Sequence, residues 1–254
     1  MGTPLGKRTF RTISASLGAI ALSSLLAACG GGGGDGASTA STPLAIDPLS
    51  LKGRWVTAVG AAPAFTAIVV PEGGNVGAWV LANDASRLVR LVLRSDNTAS
   101  GKSYVLNPAG TASTDVSGSF TTDLAAAPKE LTINGVPAAT LALTQSVTLA
   151  AAAVQGDIAG TWTATLGGGA QTTQWVVTGS GSMTGSSTTG CTYAGIVVAM
   201  VNTAAYNVSF TETCPVGVPA AFSGIATVNA ALSALTVVSE TADASAGSAL
   251  FFAR

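Results

Sequence analysis

This sequence predicts an all-β fold: two tandem antiparallel up-and-down β-barrels of about eight strands each, behind a signal peptide and a flexible tether. Three observations carry that expectation. From Leu51 onward, short runs alternate apolar and polar residues and end at turn residues. Gly, Ala, Ser, Thr and Val dominate while charged residues make up only 9% of the 254 residues, as expected of strands that expose hydroxyls where other proteins expose charge. The two halves of the body also repeat each other weakly but in order.

In the first unit, assigned to 49–147, Leu51, Gly53, Trp55 and Thr57 alternate with Lys52, Arg54 and Val56, which turns Trp55 inward and the two cations outward. Further strands are expected over 65–70, 76–82, 87–94, 102–107, 116–122, 130–134 and 140–145. Turns are expected at Pro71-Glu72-Gly73-Gly74, Asn83-Asp84 and Asn107-Pro108-Ala109-Gly110. The linker 148–156 reads equally as the end of the last strand or as a short helical segment. The second unit, 157–254, has expected strands at 158–166, 171–178, 182–188, 192–201, 205–212, 221–229, 234–239 and 249–254. Its alternation is clearest where Ile158, Gly160, Trp162, Ala164 and Leu166 share a face, and where Tyr206, Val208 and Phe210 oppose Asn207, Ser209 and Thr211.

The repeat supports two barrels. Gly53-Arg54-Trp55 aligns with Gly160-Thr161-Trp162 at an offset of 107, Gly118 with Gly224 at 106, and Leu131-Thr132-Ile133 with Leu235-Thr236-Val237 at 104. Tyr104 and Tyr206 hold similar places. A period near 100 residues means duplicated domains rather than a solenoid, with one large two-sheet domain as the alternative. Closing each meander removes the exposed edges of a threonine-rich sheet. The interior of an eight-stranded barrel is either filled by side chains or holds one small ligand, and the sequence leaves both open.

The N-terminus carries an address. Lys7, Arg8 and Arg11 precede an uncharged run over 12–25, which is long enough for a secretory signal and short for a membrane span. Leu26-Ala27-Ala28-Cys29 follows and opens onto Gly30 to Gly34. This resembles the lipobox of bacterial lipoproteins. The resemblance implies cleavage after residue 28, diacylglycerol on Cys29 and stable anchoring by several acyl chains. Gly30 stands where an Asp would mark inner-membrane retention, so the outer membrane is expected. An ordinary cleaved signal and an uncleaved signal anchor are the alternatives. The Gly/Ser/Thr-rich stretch within 29–48 cannot bury a core. It reads as a tether with a reach of ~25 Å, from ~5–6 Å × √n over about 20 residues.

Charge and cysteines narrow the function classes. Past residue 28, eight cations face twelve acids, a net of −4 that is too weak and mixed for a nucleic-acid binder. With Cys29 assigned to lipid, Cys191 and Cys214 are left as a pair in an oxidising compartment. A disulfide is expected there, with two buried thiols as the alternative.

Two further resemblances rest on short motifs. The G-x-W of Gly53/Trp55 and of Gly160/Trp162, each on a first strand, is similar to the signature of lipocalin-like barrels. That resemblance implies a Trp plugging one barrel end with a basic side chain from a late strand across it. Arg254 is placed to cover Trp162, whereas the first unit offers only Gln145 and Ser146 at the end of its last strand. Gly185 to Cys191, Gly195 and Phe210 to Cys214 resemble META-type envelope domains, although Thr192 replaces the expected Asn and Thr213 directly precedes the Cys.

Catalytic chemistry finds little purchase. The chain has no His, which removes Ser-His and Cys-His pairs and most zinc sites. Two cysteines alone make no tetrahedral metal site. Gly101-Lys102-Ser103 echoes the end of a P-loop, but Asp96 stands where the first Gly belongs and no helix follows. The acids, such as Asp84, Asp96 and Asp115, stand singly beside turn residues rather than in catalytic pairs. No enzyme activity, cofactor or metal is therefore expected. Arg87, Arg90 and Arg94 on or beside one strand read either as a stripe for an anionic partner or as a solvated face that protects the sheet. The leading expectation is a lipid-anchored envelope interaction or structural module, contacting an envelope protein or glycan. The alternative is a carrier of a small apolar or amphipathic ligand inside a barrel.

Overall fold

The computed structural model describes residues 47–106, 112–136, 140–166 and 169–254. The lipobox residues Leu26, Ala27, Ala28 and Cys29, nearly all of the tether, and the expected turn at 107–110 lie outside the described residues. No helix among the described residues is long and apolar enough to cross a membrane.

Two closed eight-stranded barrels follow each other along the chain. The first comprises β1 (Gly53–Val56), β2 (Phe65–Glu72), β3 (Asn75–Ala82), β4 (Arg87–Leu93), β5 (Thr98–Val105), β6 (Ala112–Asp123), β7 (Glu130–Asn134) and β8 (Thr140–Gln145). The second comprises β9 (Gly160–Leu166), β10 (Gln171–Val177), β11 (Ser182–Ser187), β12 (Thr192–Ala199), β13 (Ala205–Thr213), β14 (Ala220–Val228), β15 (Ala234–Thr241) and β16 (Gly247–Ala253). Every neighbouring pair is antiparallel. The first barrel closes by pairing Trp55 with Gln145 and Val56 with Thr144. The second closes by pairing Ala253 with Thr163. Each ladder thereby loses its free edge, as the hydroxyl-rich strands require.

The strand assignments hold to within a few residues, with three informative departures. Strand β5 starts at Thr98 rather than 102, because Thr98, Ala99, Ser100 and Gly101 are too small and mixed to show an apolar period. Strand β6 starts at Ala112, which moves Asp115 from a turn into a strand, where it pairs with Lys102 at 2.8 Å. Leu51 and Ile158 belong not to strands but to short 3₁₀ turns, Pro48–Leu51 and Gln155–Ile158. These turns lie before β1 and β9 at the same offset as the G-x-W motifs.

The repeat is visible in detail. The Trp55 indole N–H donates to the Leu51 carbonyl at 2.8 Å, and the Trp162 N–H donates to the Ile158 carbonyl at 2.8 Å. Gly118 and Gly224 sit on the sixth strand of each barrel. A Cβ there would lie 1.9 Å from the Asn134 carbonyl oxygen or 2.0 Å from that of Val238, so only glycine lets the sixth strand press this close to the seventh. Leu131 and Leu235 fill the same inward place on the seventh strands. Tyr104 and Tyr206 share the fifth strand but not the face: Tyr206 points into its barrel, while Tyr104 points outward into the seam between the barrels.

Both interiors are full. In the first barrel Trp55, Phe120, Leu131, Ile133, Leu91 and Leu93 are essentially inaccessible. In the second, Trp175 packs against Tyr193, Phe210 and Phe252 with ring centroids 4.7–6.0 Å apart. Gly185 makes room for it, since a Cβ there would come 2.6 Å from the indole ring. A third apolar cluster joins the barrels, with Val70, Trp79, Leu88 and Tyr104 of the first against Ala205, Ile225 and Val238 of the second. Burial of this kind stabilises by roughly 25 cal/mol per Å² of apolar surface, and it draws the two barrels into one compact unit.

Candidate functional site

Three places bring polar groups together: the lid of each barrel, the mouth of the second barrel, and the seam.

At each lid a glycine, a tryptophan and a side chain near the end of the last strand converge. Gly53 and Gly160 have φ of +129° and +136°, a region open essentially to glycine, so backbone geometry alone demands the G of each G-x-W. Arg254 then stacks over Trp162, 4.4 Å from the ring centroid. Its guanidinium donates to the carbonyls of Ala159 (2.9 Å), Asp157 (3.1 Å) and Leu232, which satisfies carbonyls of the turn ahead of β9. In the first barrel Gln145 takes the corresponding place, and its amide donates to the Lys52 carbonyl at 3.1 Å. A Cβ on Gly53 would meet that amide at 3.3 Å, as one on Gly160 would meet Arg254 at 3.2 Å. The sequence signalled the departure at Gln145, but not that a neutral amide could bond the same carbonyl.

At the mouth of the second barrel Cys191 and Cys214 form a disulfide, tying the β11–β12 turn to the segment after β13. Glu212 lies beside it, but both sulfurs are committed to each other, and a bonded sulfur is not a thiolate ligand. The Tyr193 hydroxyl donates to Glu212 at 2.8 Å. Burial first, and then this bond to a carboxylate, push the Tyr193 phenol up to about 12.

Arg87 and Arg90 of β4 and Arg94 just beyond it do not form a stripe. Arg90 is buried, stacks over Trp79 at 4.7 Å from its centroid and pairs with Glu72. Its outward face is covered by the second barrel, which the sequence pattern of β4 alone could not reveal. Arg87 shares the inward parity of Val89 and Leu91. Arg94 is exposed beyond the strand end and donates to Ser100 at 2.8 Å. The three side chains therefore do not share one exposed face, and they form neither the stripe nor the solvated face that the sequence offered as alternatives.

The seam was missed because its partners are distant in sequence. The Tyr104 hydroxyl donates to Glu240 at 2.6 Å across 136 residues, and burial with this bond raises its pKa well above the ordinary tyrosine value. The Tyr104 ring also lies against Gly247, where a Cβ would come 2.5 Å from it. Among the described residues, cavities open along the seam. One, of about 200 Å³, contains Arg90, Glu72 and Glu240. Another, of about 490 Å³, is bounded by Lys52, Arg54 and Lys129.

Several acids are explained by turns. Asp84 accepts from the Ser86 hydroxyl and N–H, Asp96 from those of Thr98, and Asp243 from Thr241 and Ser245. These bonds lower all three carboxyl pKa values, that of Asp243 to about 2. They stabilise tight hairpins and offer no catalytic pair. No protein family, no curated protein and no solved structure matches this chain.

Proposed function

We propose that this protein is an outer-membrane-anchored lipoprotein whose tandem-barrel body is a non-catalytic interaction or structural module. The carrying observation is that both barrel interiors are filled by their own side chains, from Trp55 and Phe120 to Trp175 and Phe252. A carrier of the interior type needs space at those positions, so the filled interiors weigh for contact through outer surfaces. The polar groups described above are engaged in lids, turns and the seam, which weighs against a reaction centre. The anchor rests on Lys7, Arg8 and Arg11, the apolar run and Leu26-Ala27-Ala28-Cys29. It implies a membrane partner through lipid and an envelope protein or glycan on the body, with no role for nucleic acid.

Metabolic labelling with radioactive palmitate tests the anchor. The natural chain is expected to take up label and to fractionate with the outer membrane, while Cys29→Ser takes up none. Label retained on the Cys29→Ser chain would refute the assignment.

A further inference from the structure

We infer that the larger seam cavity is a binding cleft for an amphipathic anion: a carboxylate or phosphate head on an alkyl chain. Its volume of about 490 Å³ falls within the roughly 300–1,000 Å³ typical of small-molecule sites. The apolar lining comes from both barrels and the linker between them, with Ile68, Val70, Ala127, Leu149 and Ala205 among the residues. Among the described residues, the cations Lys52, Arg54 and Lys129 line it, and no acid does.

That charge is uncompensated, unlike that of the smaller cavity, where Glu72 pairs with Arg90. Among the described residues neither Lys52, Arg54 nor Lys129 forms an ion pair with a carboxylate. Arg54 instead donates to two neutral hydroxyls, Thr148 at 2.8 Å and Ser146 at 3.3 Å. Lys129 and Arg54 are both partly buried, and Lys52 is exposed. In a chain with an acidic excess, gathering three cations, two of them partly buried, beside apolar walls is complementary to an anion that also carries apolar surface. Leu149 lines the same cavity with a φ of +61°.

The cleft lies outside both barrel interiors and does not depend on the lipid anchor. Using the full chain with Cys29→Ser keeps loss of palmitate labelling and loss of ligand binding as separate outcomes. Calorimetric titration with dodecyl phosphate is expected to show one saturable site per chain. Lys52→Gln with Lys129→Gln, which leaves the Arg54 bonds in place, is expected to weaken binding about tenfold or more. Lys52→Arg with Lys129→Arg is expected to retain it. Dodecanol and inorganic phosphate are each expected to bind at least about tenfold more weakly than dodecyl phosphate. Co-sedimentation with phosphatidylcholine vesicles containing phosphatidylglycerol identifies the source. Charge-dependent sedimentation points to a bilayer headgroup, and its absence alongside dodecyl phosphate binding points to a free amphiphile. Absence of saturable binding, equal affinity of the Gln variant, or equal affinity for dodecanol would overturn the inference.

Discussion

The two barrels share a frame and differ in what fills it. Both begin with a 3₁₀ turn whose last carbonyl receives a tryptophan N–H, and both press a glycine of the sixth strand against the seventh. The first is filled mainly by aliphatic residues, whereas the second packs Trp175, Tyr193, Phe210, Phe222 and Phe252 into one aromatic cluster. The second also carries a disulfide at its mouth and a cation over its lid. The lesson is that closure is set by a few backbone and lid positions, while many apolar fillings satisfy the interior.

Removing the disulfide should separate the barrels most. Its loop spans 23 residues, worth about 3 kcal/mol on the chain-entropy account. Cys191→Ser with Cys214→Ser is expected to lower the urea midpoint followed by tryptophan fluorescence. An unchanged midpoint would mean that the mouth of the second barrel needs no tie and resembles the first in this respect.

Arg254→Gln makes the second lid resemble the first. The loss of a stacked cation at an exposed site and of part of its carbonyl bonding should cost about 1 kcal/mol. The variant should remain folded, because Gln145 already serves the equivalent position. Complete unfolding of the variant would show that the two lids are not equivalent.

The smallest expected effect is a titration. The three tyrosines, Tyr104, Tyr193 and Tyr206, all have raised pKa values, with burial as the largest cause. Because the folded values lie above the unfolded one of about 10, the stability they contribute is fully present below pH 10 and declines as pH rises from there. For Tyr193 it declines through about pH 12. Absorbance of tyrosinate should therefore stay low at pH 10 in the folded chain. One phenol ionising near 10 would break the comparison for its barrel or for the seam.

Much of the fold was legible because period-two alternation survives wherever one strand face is buried, as along Tyr206, Val208 and Phe210. The glycines and tryptophans of the lids were legible because each stands in a short local pattern, and the cysteine pair because assigning Cys29 to lipid leaves two cysteines in an oxidising compartment. The 3₁₀ turns were too brief to show a period. Arg90 was misjudged because alternation shows which side of a strand faces out, but not what another domain lays upon it. The seam cleft draws Lys52 and Arg54 from one segment and Lys129 from another far along the chain, and no local spacing announces that meeting.

Hydrogen exchange at the tryptophan indoles tests the duplicated frame most directly. Nitrogen-15 spectra should show the N–H protons of Trp55 and Trp162, each bonded to the carbonyl four residues earlier, exchanging only when their barrels open. Exchange of either one at the rate of a free indole would contradict the shared lid on which the account of two filled, closed barrels depends.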